Sequence, residues 1–366
     1  MRLNMIKKIF FIIILFSYFY PQWALWANPS LPVGSADKGI GLGAGEMMFT
    51  ADYSFQFIDW WHDPVENEPF KHEGNLSTHM LNLRFSLGFN DYWDMTIEQP
   101  FIKRCMDWHR DELSDHHRNE CSDTDFYDDE GNLQARGGIL GDTQFKFRYL
   151  LENVGKGLGE RFFIEGGLIV PSHYTLLSDP FFLKEKAEGT YDELEDHFHR
   201  HFSVSDGTYK ASFGLEFFQK RSTYPVFWGL TSKIYYPLGE NDYGFLSSVN
   251  YDLSVFLLSG PPIAHDMKSQ SFQLNSIGLG LNIKYSDFAE WDGFEVPNSR
   301  STAVTPMLSF TFSSSSKGTL GFSINFSDVS TFAAGDDVLA GDTNIWGFSF
   351  SYRKSLDKII DGLYWE

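Results

Sequence analysis

The feature that most constrains this chain is a two-residue rhythm of apolar and polar side chains. It is clearest in the stretch Gly141–Pro171, GDTQFKFRYLLENVGKGLGERFFIEGGLIVP. Thr143, Phe145, Phe147 and Tyr149 share one face of its first arm, and Gln144, Lys146 and Arg148 share the other. Successive side chains of a strand point to opposite faces, so this arm is apolar on one side and charged on the other. A soluble sandwich would bury the aromatic face and wet the charges. A transmembrane barrel turns the aromatics to lipid and the charges into a lumen.

The same rhythm recurs at a steady pace, and the spacing predicts twelve strands. The first three are Glu46–Ile58, Thr78–Phe89 and Tyr92–Ile102, and the hairpin above supplies the fourth and fifth. Then come Thr208–Phe218, Val226–Tyr236, Phe245–Leu258 and Ser271–Tyr285, the last changing parity near Asn275 and Ser276 as a bulge would. Ala303–Ser313, Leu320–Phe326 and Ile345–Arg353 complete the set. Most reach the roughly 9–11 residues that a tilted membrane strand needs. Connections after odd strands are mostly long (59–77, 103–140, 172–207, 286–302, 327–344), and those after even strands mostly shorter, with PLGEND at 237–242 as a short exception. Long loops outside and short turns in the periplasm are the signature of an outer-membrane barrel. The fold expected is therefore all-β, an antiparallel transmembrane β-barrel of about twelve strands over residues 46–354. Both termini would lie in the periplasm. A soluble double-sheet protein is the competing architecture.

The flanks fit an exported protein. A basic start (Arg2, Lys7, Lys8), an apolar run from Ile9 to Tyr20 and small residues around Ala24–Ala27 read as a signal peptide over residues 1–27. Residues 28–45, rich in Gly and Pro, read as a flexible segment able to hang in the periplasm or plug the pore. Residues 355–366 read as a periplasmic amphipathic tail. The localisation implied is the outer membrane of a Gram-negative bacterium, with lipid and lipopolysaccharide as surroundings. A net charge of −20 argues against nucleic acid, which needs concentrated Lys and Arg. The only two cysteines, Cys105 and Cys121, lie in one polar stretch and read as a local disulfide. Nothing in the sequence speaks to oligomeric state.

Under the barrel reading the inward charges are Asp52, Arg84, Asp94, Glu98, Lys146, Arg148, Glu165, Lys210, Glu216, Lys233, Asp252 and Lys284. Signs are mixed, so no single-sign selectivity is implied. Two readings stay open: a cross-lumen network of ion pairs that closes the barrel, or an aqueous passage lined by both signs. In the loops, nine of the eleven histidines fall in the first three long connections, among many acids. Glu193, His197, His199 and His201, in YDELEDHFHRHF, form the densest group and are candidate ligands for a transition metal. A solvated surface whose histidines titrate with acid explains the same residues. DTDFYDDEG at 123–131 lacks the spacing of a calcium-binding hand, so a divalent cation bridging the loops to lipopolysaccharide is the most it implies. No resident cofactor is expected.

No GxSxG or HExxH motif occurs, and no histidine lies beside a serine in the context that barrel phospholipases use, so the chain reads as a non-enzyme. The GDTQFKFRYLL…RFFIEGGLIVP hairpin resembles a signature of the meta-pathway phenol-degradation "transporter" barrels of the outer membrane. Gly141, Asp142, Tyr149 and Pro171 match it, whereas Ser172 and His173 replace the usual Thr-Gly pair. The resemblance implies passage of hydrophobic or aromatic compounds, as in the related-looking fatty-acid transporters, where an N-terminal segment plugs the pore. The functional expectation is a porin-like channel or transporter for small solutes, hydrophobic or aromatic ones among them. The alternative is a closed surface barrel whose acidic, His-rich loops bind metal or a partner.

Overall fold

The computed structural model describes residues 42–62, 72–108, 120–127, 131–154, 159–189, 203–221, 227–259, 271–296, 299–314, 316–330 and 343–356. The expected signal peptide, most of the expected N-terminal lead-in, the HFHRHF histidines and the residues beyond 356 lie outside these residues.

Twelve antiparallel strands form the wall: β1 (Met47–His62), β2 (His72–Gly88), β3 (Trp93–Trp108), β4 (Thr143–Val154), β5 (Gly159–Val170) and β6 (Lys210–Lys220), then β7 (Phe227–Pro237), β8 (Asn250–Leu258), β9 (Gln273–Ser286), β10 (Ser301–Ser314), β11 (Gly318–Ser330) and β12 (Thr343–Leu356). Each pairs with its neighbours in sequence, and β1 pairs with β12 from Met47↔Leu356 to Ile58↔Ile345, which closes the sheet. Closure satisfies every strand edge internally, the condition for a β-structure to stand in hydrocarbon. Among the described residues no helix is long and apolar enough to cross a membrane; the strands do the crossing.

Strand alternation sets the outer surface. Tyr53, Leu81, Phe85, Phe147, Phe213, Leu253, Leu308 and Phe350 are all exposed and outward, an apolar belt that only lipid can cover. Aromatic clusters mark its rims, with Trp93 against Tyr149 (4.6 Å between ring centres) at the periplasmic side and Tyr251 against Tyr285 (5.9 Å) at the outer side.

Most strands run longer than the alternation alone indicates. β12 continues to Leu356, two residues into the expected tail. The bulge expected in β9 is present, at the register shift between Leu274 and Ser276. A second lies between Leu150 and Glu152 in β4. The eighth strand is shorter than expected: Phe245–Leu246 leaves the wall and joins Glu290–Trp291 and Phe294–Glu295 in a small outer sheet. Its residues pack with Ala135, Leu176 and Val296 into an apolar cluster among the outer loops. A short helix, α1 (Leu183–Glu188), borders this cluster, its entry fixed by Asp179 accepting from the amides of Phe181 (2.9 Å) and Leu183 (2.7 Å).

The β3–β4 seam is built from two parts. The strands pair directly only from Trp93↔Tyr149 to Glu98↔Gln144. Above that, where Pro100 lacks an amide hydrogen, residues 139–141 take over, with Ile102 N–H donating to Ile139 O (2.6 Å) and Gly141 N–H to Pro100 O (2.9 Å). The disulfide Cys105–Cys121 then fastens the outer segment 120–122 to the top of β3, as the sequence led one to expect.

Candidate solute pathway in the barrel lumen

Eleven of the twelve charges expected to face inward come from β1 to β8, and the other, Lys284, is on β9. The ladder registers give most of them an order that the sequence alone conceals. Asp94 is opposite Arg148, Arg148 opposite Glu165, Glu165 opposite Gly214, and Gly214 opposite Lys233. Lys233 is opposite Asp252, and Asp252 opposite Lys284. One row of cross-strand neighbours thus carries alternating charge from the periplasmic end of β3 to the outer end of β9. Neighbours in such a row interact directly, and opposite charges stabilise it.

The contacts follow. Arg148 donates from Nε (3.1 Å) and Nη2 (2.8 Å) to Asp94 Oδ2, and from Nη1 to Glu216 Oε2 (3.2 Å). Lys233 contacts Glu165 and lies 3.3 Å from Glu216 Oε1. It passes Gly214 on the way; a β-carbon there would sit 3.3 Å from Lys233 Cγ. Nearer the outer ends of β3 and β4 Lys146 Nζ meets Glu98 Oε2 at 2.6 Å, and on the adjoining strands Arg84 meets Asp52 and the Asn82 amide donates to Glu98. Asp252 accepts from Asn282 (2.8 Å) and Ser254 (3.2 Å). Ten of the twelve named charges therefore sit in ion pairs, Lys210 with a partner, Asp206, that alternation does not reveal because it lies in the loop before β6.

Beneath the charges lies an apolar floor. Leu150, Phe163, Phe218, Phe227, Phe256 and Leu258 all point inward at the periplasmic ends of β4–β8 and form one buried cluster. The Arg148 guanidinium rests on it, 4.3 Å from the centre of the Phe163 ring, so the ion network and floor are one packed unit. Reading the strands as apolar-out and polar-in misses this cluster; consecutive aromatics such as Phe217–Phe218, where one ring must face inward, are the signal that could have found it. Opposite, the floor is completed by small polar groups: Thr50, Thr311, Thr319 and Ser323 are buried, with Arg353 among them.

The rest of the wall, β10–β12, carries no charged residue above Arg353 on its described inward face. Its inward positions include Ala303, Thr305, Met307, Ser309, Asn325, Ser327, Ile345, Gly347 and Ser349, and at the outer end Ile345 packs against the buried Ile58, Leu76 and Met106. Hydroxyls link the strands, Thr305 to Ser327 at 2.7 Å and Ser323 to Ser349. Gly347 has no side chain because the Asn325 carboxamide lies across it, 2.2 Å from where a β-carbon would stand. On either flank of this neutral wall an inward residue is exposed: Gln56 on β1 and Lys284 on β9. Solvent therefore reaches the lumen at these two positions beside β10–β12, while the periplasmic half is packed.

At the mouth, residues 203–208 bend inward. Arg104 Nη1 donates to Ser203 O (3.1 Å), Asn241 to Asp206 O (3.1 Å) and Thr208 to Phe245 O (3.3 Å). Gly207 takes φ +69° where a side chain would strike Asn241. The Asp206 carboxylate accepts from Lys210 Nζ (2.5 Å) and Ser247 (2.8 Å), and the Lys210 charge above all holds its pKa down at about 2. Burial pushes the nearby Asp142 up.

Of the expected metal ligands, Glu193, His197, His199 and His201 lie outside the described residues. Among the described residues no three His, Cys, Asp or Glu side chains gather as a metal site. His79, on the membrane face, bonds the Tyr53 hydroxyl at 2.7 Å instead of entering the lumen.

No protein-family model matches the sequence, and a search of curated proteins finds no match. Solved structures do match in shape. The COG4313 outer membrane channel from Pseudomonas putida F1 superposes with a TM-score of 0.54 at 11% identity, covering 89% of this chain and 100% of that one. A structure described as the CymD monoaromatic hydrocarbon channel (TM-score 0.35, 9% identity, 86% and 89% covered) and Pseudomonas putida OprB (0.32, 9%, 85% and 94%) superpose too loosely to add to the argument. The chain is thus a twelve-stranded antiparallel barrel of the outer-membrane type. At the level of fold it meets the expectations of architecture, of Gram-negative outer-membrane localisation and of likeness to transporter barrels.

Proposed function

We propose that this protein is an outer-membrane channel for small solutes, open to the outside along its neutral wall and held closed at its periplasmic floor. The observation that carries the reading is the division of the lumen: exposed inward residues (Gln56, Lys284) flank β10–β12, while inward groups at the periplasmic end are buried. A wall of hydroxyls and amides binds weakly and reversibly, which suits conduction. The phenylalanine floor would favour solutes with an apolar or aromatic body, as the hairpin resemblance also implies. The neighbour with the TM-score of 0.54 is described as an outer membrane channel, which supports the same class.

Proteoliposome swelling with small neutral and aromatic solutes tests the reading. Uptake by the wild type, raised by Phe218→Ala, is the expected result. A folded barrel that stays impermeable with Phe218→Ala and with residues 28–45 deleted would sink it. The extent of ion pairing supports a second reading, a closed barrel that acts through its loops. Calorimetry with zinc and copper on the wild type and on His197/His199/His201→Ala decides that one, and equal, negligible heats would end it.

A further inference from the structure

Lys284 stands apart from Lys146, Lys210 and Lys233, the other lysines among the inward charges named above. It ends the alternating row: Asp252 faces it from β8, but the next position, on β10, is Ala303, which has no charge to offer. The Asp252 carboxylate is already held by Asn282 and Ser254, and no hydrogen bond or ion pair reaches Lys284 from the described residues. Its side chain is enclosed by the barrel, within electrostatic range of Lys210, Arg104, Asp252 and Asp206 on the surrounding elements, and yet it is exposed. A group that is both enclosed and exposed borders open space inside the lumen.

We propose that Lys284 is the anchor of an anion subsite in the outer half of the lumen, and that the solutes it receives are small organic monoanions, carboxylates above all. The charge count limits the ligand. Lys210 and Asp206 neutralise each other at 2.5 Å, and Arg104 is set back against Ser203. Asp252 remains close, so one negative charge is attracted whereas a dianion such as phosphate meets a carboxylate it must displace. The uncharged body of the ligand would lie against Ala303 and Met307 on β10. A bare ammonium in a partly desolvated cavity gains more from a carboxylate than it would in bulk water. This deepens the channel reading by naming a solute class, but binding does not require conduction, so the two fail separately.

Calorimetry on the full-length protein in detergent, with butyrate, butyramide and inorganic phosphate as probes, tests the proposal. Saturable butyrate binding is expected, weakened about tenfold or more in Lys284→Met, which is about 1.4 kcal/mol, and largely retained in Lys284→Arg. Butyramide should bind wild type and Lys284→Met alike. Heat-modifiability on gels confirms that each variant is folded, and Lys284→Gln serves if Lys284→Met is not. Equal butyrate affinity in wild type and Lys284→Met, phosphate binding as tight as butyrate, or no butyrate binding in the folded wild type would each overturn it. Binding with no conductance would leave the subsite standing and remove only the channel.

Discussion

The two halves of this lumen are built on different physics. Along β1–β8, inward positions carry charges that are desolvated, paired and stacked on a phenylalanine floor. Along β10–β12 they are mostly hydroxyls, amides and small residues, and the exposed inward Gln56 and Lys284 stand on either flank. Burying a charge costs several kcal/mol unless it is paired with good geometry, so the first half is rigid by necessity: losing one partner strands the other. A hydroxyl loses much less when its neighbour changes. On the proposed channel reading the charged half is scaffold and the neutral half is the path.

The largest expected effect comes from the centre of the charged half. Glu216→Ala leaves Arg148 and Lys233 each short of a partner at a position with no exposed surface. A loss of about 3–5 kcal/mol is expected in urea unfolding from liposomes, and no change would show that the network is dispensable. Phe218→Ala removes a ring from the middle of the floor. It should cost a comparable amount, about 3–5 kcal/mol, while raising permeability, so stability and flux move in opposite directions. In the neutral half, the double change Ser323→Ala with Ser349→Ala removes both members of a hydroxyl pair. A shift of about 1 kcal/mol or less is expected, and a cost like that of Glu216→Ala would erase the distinction between the halves.

The smallest effect concerns the mouth. Asp206 titrates near 2, below the 3.8 of a free side chain. A depressed carboxylate pKa stabilises the fold above its unfolded value, and that contribution is lost as pH falls from about 4 through about 2. Its side chain is 45% exposed, so screening keeps the gain modest. Limited proteolysis of the outer loops should accelerate across that window in the wild type and show no such step in Asp206→Asn.

Much of this was legible in the residues. Alternation such as Phe145–Lys146–Phe147–Arg148 fixes which side faces lipid, because the period of a strand leaves no freedom once one face must be apolar. The bulge at Asn275 announced itself as a change of parity, and Cys105 with Cys121 as a pair. Register did not: that Asp94, Arg148, Glu165, Lys233, Asp252 and Lys284 share one row depends on strand stagger, which no single segment encodes. Asp206 was hidden because it acts from a loop, and Phe163 and Phe218 because an apolar residue facing inward breaks the rule that finds the others. Lys233 and Lys284, identical as letters and both opposite Asp252, differ in their other neighbours: Gly214 lets Lys233 reach Glu165 and Glu216, whereas Ala303 offers Lys284 no charge.

Planar-bilayer recording of Asn325→Trp beside the wild type asks whether the neutral wall lines the solute path. Asn325 lies on the neutral wall against Gly347, away from every ion pair described above. A path along that wall requires a folded, heat-modifiable variant whose current falls by a few-fold or more. Current equal to that of the wild type would contradict it, because the solute path would then lie elsewhere.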